Sequence, residues 1–430
     1  MRTLFTLLVL FLLTGCGSQH SVVAPELDLK QAMSAFGELK AALETDNGRF
    51  WNHSLAGPLL LVNRETRTVI ANEADLSGEL KKHGELYLGI LPVEINIANT
   101  AFEWNGKRWT MVALPLPDTR AERLNLLLHE SFHRIQPALG FGDIPESQSI
   151  HLDNKDGRIF LTLELEALKK ALATDDPLPH LHHALLFRHY RYKLFPDASE
   201  AENSLELLEG LAEYTGSMLS GRDDAALRAH YATQIELFYD LDSWVRSFAY
   251  FTLPVYGYFL QQQESGWHRQ VTAESDLTAL ITLLLGSPLL DLSDEHILTT
   301  GMAYGIEEIV IRETEREMKK RELINSYRDL FQSEGVVVLP LENMHIGFNP
   351  SNLVPLDTLG TVYPNLRITD NWGILEVVSG GALMSTAWNK VTLPPPLQVT
   401  DSLAAGEGWK LRISDGWKLE KKEHHYYITK

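Results

Sequence analysis

Two histidines with metal-ligand spacing lie in the stretch LNLLLHESFHRIQ, residues 124–136. His129 and His133 are arranged as H-E-x-x-H, with Glu130 directly after the first histidine. On a helix, residues four apart project from the same side one turn apart, so both imidazoles could reach one tetrahedral zinc ion. Glu130 would lie further round, where a carboxylate can take a proton from a zinc-bound water and deliver it to a leaving amine. The spacing predicts a zinc site with Glu130 as general base and acid.

The competing interpretation is a buried helix whose two histidines are satisfied by ordinary hydrogen bonds. The segment has a clear helix start, because Thr119 and Glu122 fit a capping box. Its apolar residues form one stripe, and we expect the histidines on roughly the opposite side of the helix. That stripe consists of Leu124, Leu127, Leu128 and Ile135.

Catalytic zinc sites usually have three protein ligands and one open position. The residues after His133 lack the HxxGxxH extension, which argues against a metzincin. In NSLELLEGLAEYTG, residues 203–216, three glutamates fall at i, i+3 and i+7, on one face of a predicted helix. Such carboxylates repel one another unless water or a cation intervenes. The candidate set is Glu206, Glu209 and Glu213, with Glu164 as the alternative ligand and a solvated stripe as the non-functional alternative.

The segment LEGLAEY, residues 208–214, resembles the E-x-x-x-D/E helix of the gluzincin metallopeptidases, the group that contains thermolysin-like proteases and zinc aminopeptidases. The resemblance implies that Glu209 binds zinc and that Glu213 orients a histidine ligand. Gly210 fits the family's sequence context, whereas Leu208 stands where asparagine is common. The 75 residues between His133 and Glu209 (134–208) make a longer separation than in the best-known members.

The same resemblance implies a zinc-dependent peptidase in which an extended peptide substrate pairs with an edge strand, for which we expect residues 109–114. It also implies a hydrogen-bond donor near the developing oxyanion. The sequence leaves that donor unassigned among six residues: Tyr250, Tyr256, Tyr258, Arg188, Arg191 and His268.

The N-terminus has the pattern of an export signal. A positive Met1-Arg2 precedes the apolar run at residues 4–13, which is short for a membrane span. The following LTGC resembles the lipobox of bacterial lipoproteins, which implies a signal peptide at residues 1–15 and lipidation of Cys16, the sole cysteine. The protein is thus expected outside the cytoplasm, anchored to a bacterial membrane. Because Gly17 and Ser18 follow without an aspartate, the outer membrane is favoured where two membranes exist.

The composition limits the classes of partner that the chain could bind. The chain of 430 residues has a formal charge of -19 and a pI near 5.3, which argues against binding to nucleic acid. The dense charge mixture RETEREMKKRE, residues 312–322, alternates in sign and predicts a solvated helix face. We therefore expect a peptide or protein substrate and no nucleic-acid partner.

The pattern along the chain predicts an α+β fold. After the signal peptide we expect a tether and N-terminal helix at 16–45, a zincin-like domain at 46–333 and a C-terminal all-β domain at 334–430. The zincin-like domain should begin with a small antiparallel sheet at 57–111 and continue as helices. The histidines at 180–189 are expected in surface or loop structure. No catalytic motif falls in the C-terminal domain, which predicts a recognition or spacer role.

Together these observations favour a membrane-anchored extracytoplasmic zinc metallopeptidase that cleaves peptide bonds with metal-activated water. The alternative is a non-catalytic surface lipoprotein that binds peptide or glycan, with a structural metal or none. Glu130 argues against that alternative, because a structural zinc has no use for a base at this position.

Overall fold

The computed structural model describes residues 26–145, 147–287, 290–349 and 352–430. The predicted signal peptide at 1–15 and the predicted lipidation site Cys16 lie outside the described residues. The α+β prediction is confirmed: helices and one sheet are followed by a C-terminal region of strands. Within the described part of the chain, no helix has the length and apolar character needed to cross a membrane. The chain forms two compact units, one up to Leu139 with Thr215–Gly221, the other Gly140–Tyr214 with Arg222–Lys430.

The first unit contains a sheet and two long helices. Helix α1 (Glu26–Asp46) confirms the predicted N-terminal helix, and α2 (Arg120–Ile135) carries the H-E-x-x-H residues. The sheet has the strand order β3-β4-β2-β1-β6-β5 and a core of its own around Trp109. Its strands are β1 (Leu59–Val62), β2 (Thr68–Ala71), β3 (Lys81–His83), β4 (Leu86–Ile90), β5 (Thr100–Trp104) and β6 (Lys107–Ala113).

This sheet is mixed, so the prediction of a purely antiparallel sheet is wrong. Strand β6 pairs with β1 in parallel, while the other pairs are antiparallel. The chain passes from the β3-β4 side to the other side of β1 before it forms the β5-β6 hairpin, which turns at Asn105 and Gly106 with positive φ. Residues 109–114 were expected at a sheet edge. That expectation is also wrong, because β6 lies between β1 and β5.

An ion pair connects α1 with α2. The guanidinium of Arg123 donates to both carboxylate oxygens of Glu38, at 3.1 and 2.8 Å. Thr119 caps α2 as predicted, since its hydroxyl accepts from the backbone N–H of Glu122 at 3.2 Å. These contacts fix the start of the helix that presents His129.

The second unit begins with a set of helices. Helix α6 begins in this unit, and its residues from Thr215 onward belong to the first unit. The histidines at 180–189 were predicted in surface or loop structure; the loop alternative is wrong, because they lie on α4, where they are half-buried. Two of them, His180 and His183, contact the hydroxyl of Tyr304 through Nδ1. The helices are α3 (Lys155–Leu172), α4 (Leu178–Leu194), α5 (Ala198–Leu205), α6 (Leu211–Leu219), α7 (Asp224–Phe238), α8 (Leu253–Gln263), α9 (Leu277–Leu284), α10 (Asp294–Met302) and α11 (Ile306–Phe331).

The C-terminal strands form two sheets that share one apolar core. One has the order β18-β19-β7-β14-β13-β10-β9 and the other β15-β16-β17-β12-β11-β8. The end of α11 packs on the first of these sheets, where Phe331 meets Leu356 and Val362. The strands are β7 (Val337–Pro340), β8 (His345–Phe348), β9 (Val354–Pro355), β10 (Thr361–Tyr363), β11 (Leu366–Asp370), β12 (Gly373–Val377), β13 (Ala382–Met384), β14 (Lys390–Leu393), β15 (Pro396–Val399), β16 (Leu403–Gly406), β17 (Trp409–Ile413), β18 (Lys418–Lys422) and β19 (His425–Thr429).

Candidate metal centre

Helix α2 is buried on both its apolar and its polar side. The predicted leucine stripe is fully buried, with Leu124, Leu127 and Leu128 at 0% exposure. On the other side His129 is 4% exposed and Glu130 5% exposed, while His133 is half-buried. The histidines therefore project away from the leucines, as predicted, into surroundings that largely exclude water.

The two imidazoles converge through the same ring nitrogen. Nε2 of His133 lies 3.0 Å from Nε2 of His129. Two nitrogens that each lie 2.0–2.1 Å from a tetrahedral zinc would be separated by about 3.3 Å. The observed distance is close to that value, so this pair needs little adjustment to share an ion.

A hydrogen bond to Gln136 selects the tautomer of His133. Nδ1 of His133 lies 2.8 Å from Oε1 of Gln136, whose side chain is 6% exposed. A carbonyl oxygen only accepts, so Nδ1 carries the proton and Nε2 keeps its lone pair for a metal. Sequence reasoning missed Gln136. Its position three residues after His133, on the same side of the helix, was the available signal.

The glutamate helix contains a π-helical turn at Glu206–Gly210, between α5 and α6. A π turn holds an extra residue, so the residues after it are rotated relative to an uninterrupted α-helix. The predicted single face of three glutamates is therefore wrong. Glu206 is fully buried and accepts hydrogen bonds from Arg188 and Thr252, whereas Glu209 is half-buried and makes different contacts.

Glu209 accepts a hydrogen bond from a tyrosine. The hydroxyl of Tyr250 lies 2.5 Å from Oε2 of Glu209. The glycine next to Glu209 permits this approach: a Cβ on Gly210 would lie 2.8 Å from the side chain of Leu253 and 3.2 Å from the carbonyl oxygen of Ala249. Gly210, which fitted the family pattern in the sequence, thus has a packing reason to be glycine.

His129, His133 and Glu209 together form a group that could hold a metal ion. Each offers one ligand atom, and these atoms all lie within 4.8 Å of one another. Among the described residues, these three cluster closely enough for histidine and acidic side chains to supply three ligands to one ion. The ligands of a tetrahedral zinc ion lie roughly 3.3 Å from one another, which is inside this 4.8 Å limit. Two imidazoles and a carboxylate are a donor set that suits zinc.

No known family model, curated protein or solved structure matches this chain.

The alternative ligand Glu164 belongs to a buried ionic network. Its carboxylate is 0% exposed and lies 2.7 Å from Nε of Arg188 and 2.8 Å from Nη1 of Arg191. Nε2 of His151 lies 2.6 Å from Oε1 of Glu202, which also binds Arg191. Burial alone would lower the pKa of Arg188, but the charges of Glu164 and Glu206 raise it, which keeps the guanidinium charged. Glu164 and His151 thus have structural partners and lie outside the candidate metal group.

The six candidate oxyanion donors differ in the residues that surround them. Arg188 and Arg191 belong to the ionic network. Burial, and to a lesser extent the charge of Glu164, raises the pKa of Tyr256. The hydroxyl of Tyr258 donates to Asp224, and His268 is fully buried beside the ring of Tyr214. The hydroxyl of Tyr250 donates to Glu209, a member of the metal group.

Helix α6 is held close to α2 within the first unit. A Cβ on Gly216 would lie 2.5 Å from the carbonyl oxygen of Asn125, so only glycine allows this approach. Thr215 of the same turn accepts from the indole N–H of Trp51 at 2.8 Å. Glu213, half-buried and one turn before Gly216, keeps its predicted role of orienting a histidine as a prediction.

Proposed function

We propose that this protein is a zinc-dependent metallopeptidase of the gluzincin type. The observation that carries the proposal is the convergence of His129, His133 and Glu209 within 4.8 Å, with Glu130 adjacent in the chain to the first ligand. A structural zinc site is usually closed by four protein ligands, whereas three ligands leave a position for water and substrate.

Each side chain of the site has its own proposed role in hydrolysis. His129, His133 and Glu209 would hold the ion, and Gln136 keeps the proton of His133 on Nδ1 so that Nε2 faces the site. When bound, zinc would polarise the substrate carbonyl and lower the pKa of a water molecule. Glu130, 5% exposed, would accept the proton of that water and pass it to the leaving amine.

Tyr250 is the donor that we assign to the developing oxyanion. Its phenol already lies at Glu209, so a small rotation of the side chain would carry the hydroxyl from the carboxylate to a substrate oxygen. Glu213 would orient a histidine ligand, as the resemblance implies.

The substrate that we propose is a peptide or protein outside the cytoplasm. The lipobox-like LTGC at residues 13–16 supports anchoring through Cys16 to a bacterial membrane, with the outer membrane favoured where there are two. The negative charge of the chain gives no support to a nucleic-acid partner.

The test compares wild type with Glu130→Gln for zinc content and for cleavage of a quenched-fluorescent peptide library. Gln keeps the size of the side chain but cannot take the proton, so we expect full zinc content and a loss of hydrolysis on the order of 10²- to 10⁴-fold. Equal zinc in both proteins with cleavage by neither would instead favour a non-catalytic lipoprotein that binds peptide or glycan.

A further inference from the structure

A cavity lies in the second unit, and none of its lining residues belongs to the metal group. It has a volume of about 430 Å³ and lies among α11, the segment after α7 and the start of the C-terminal strands. This is within the usual size range of small-molecule sites. Its wall combines apolar side chains, including Leu323 and Val354, with polar and charged ones: Trp244, the cations Arg158, Arg316, Lys319 and Lys320, and the carboxylates Asp153 and Asp242.

The basic wall comes from the charge-rich segment of α11 that the sequence predicted to be a solvated face. Positions 316, 320, 323 and 327 share one side of this helix and all line the cavity. Among its acidic residues, Glu313 and Glu317 bind Arg158, another residue of the wall, at 2.7 and 3.1 Å. Lys320 pairs with Asp153 at 3.3 Å, whereas Arg316 lies on the cavity side without such an ion pair among the described residues.

Arg316 has no carboxylate partner within 4.0 Å among the described residues, in contrast to Arg158. Its Nη2 donates to the carbonyl oxygens of Leu241 and Asp242, at 2.7 and 2.9 Å, and its guanidinium lies 4.7 Å from the ring centre of Trp244. Burial lowers the pKa of Arg316, and the nearby charges of Glu313 and Asp242 offset this only in part. Its remaining N–H groups are available to an anion.

Two further polar atoms in the wall are buried without partners among the described residues. Trp244 is 1% exposed, and its indole N–H has no acceptor. The side-chain oxygen of Asn352 has no donor. Buried polar groups are nearly always satisfied, so an unmatched donor and an unmatched acceptor in one cavity point to a ligand that supplies the complements.

We infer that this cavity binds a small organic acid that combines a carboxylate, an N–H donor and an apolar group, the chemistry of an N-acyl amino acid. The carboxylate would accept from Arg316 and from the indole of Trp244, and the N–H would donate to Asn352. The apolar group would pack on the aliphatic wall. This inference does not depend on the proposed peptidase activity.

The test is calorimetric titration of the full-length protein with N-acetyl-L-leucine and, separately, with its uncharged amide. We expect the acid to bind, and the amide to bind at least about tenfold more weakly because it lacks the charge-assisted hydrogen bonds. Arg316→Gln should weaken binding of the acid by a similar factor. The matched control is Arg321→Gln, on the same helix but 74% exposed, which should bind like wild type.

A second variant tests the same binding in case Arg316→Gln does not fold. Trp244→Phe keeps an aromatic ring but removes the N–H, and we expect it to weaken the acid several-fold, by about the value of one hydrogen bond. Three results would overturn the inference: no binding of the acid, equal binding of acid and amide, or unchanged binding by Arg316→Gln. The last would mean that the carboxylate binds elsewhere, for example at the metal group.

Discussion

The hydroxyl of Tyr250 donates to Oε2 of Glu209 across 2.5 Å, which places a phenol directly on the acidic member of the metal group. The contact depends on the π turn at Glu206–Gly210 and on Gly210, whose missing side chain leaves room for the segment that carries Tyr250.

Tyr250→Phe removes this hydroxyl and keeps the ring. If the phenol stabilises the oxyanion, kcat should fall on the order of 10²-fold, with KM and zinc content little changed. Tyr258→Phe is the control, because that hydroxyl donates to Asp224. Steady-state kinetics on a cleaved peptide measure both, and a matched loss in the two variants would contradict a specific role for Tyr250.

Gly216→Ala tests the close packing of α6 on α2. The new Cβ would lie 2.5 Å from the carbonyl oxygen of Asn125, so we expect the free energy of unfolding to fall by about 1–3 kcal/mol. In the control Gly37→Ala, on α1, the Cβ meets nothing within 4 Å, and a gain of about 0.5–1 kcal/mol is expected. Urea-induced unfolding compares the two. The packing argument fails if both substitutions shift stability in the same direction.

Glu164→Gln separates a structural carboxylate from a metal ligand. It leaves Arg188 and Arg191 with less negative charge in a fully buried network, so the free energy of unfolding should fall on the order of 3 kcal/mol. Zinc binding by the folded protein should persist. Glu166→Gln, on the same helix but partly exposed beside Lys169, should cost less than about 1 kcal/mol. Loss of zinc from folded Glu164→Gln would restore Glu164 as the ligand.

Glu38→Gln tests the ion pair that joins α1 to α2. The hydrogen bond from Arg123 lowers the pKa of Glu38, so its folded form binds a proton less readily than the unfolded chain. The stabilisation is therefore present above the ordinary glutamate pKa of about 4.5 and is lost as the pH falls below it. At pH 7 the variant should be about 1 kcal/mol less stable than wild type. Thermal melts from pH 7 to pH 3 should show this difference shrinking, and a constant difference would contradict the ionic origin.

The sequence predicted the parts of the site that depend on local spacing. The H-E-x-x-H pair, the Thr119 cap and the leucine stripe follow from helical period and ligand chemistry, whereas the resemblance to the gluzincin helix implied the choice of Glu209. What it missed depends on distant contacts. Glu206 was grouped with Glu209 on an ideal helix, but Arg188 and Thr252 bind it, and a π turn separates the two glutamates.

In the sheet of the first unit, too, the sequence predicted local features and missed those that depend on distant contacts. The strands fall within the predicted range 57–111, and the β5-β6 hairpin with its Asn105-Gly106 turn is a local structure. The parallel pairing of β1 with β6 joins strands about fifty positions apart, and no local pattern specifies which strand becomes the edge. The α+β class and the C-terminal strands could be predicted, since strand period and turn residues are read within short windows.

The central claim is that His129, His133 and Glu209 bind one zinc ion. The most direct measurement is anomalous diffraction at the zinc edge from crystals of the zinc-loaded protein. We predict one strong peak about 2.0–2.2 Å from Nε2 of each histidine and from a carboxylate oxygen of Glu209. A stoichiometrically loaded protein whose peak lies elsewhere, or is not coordinated by Glu209, would contradict the account.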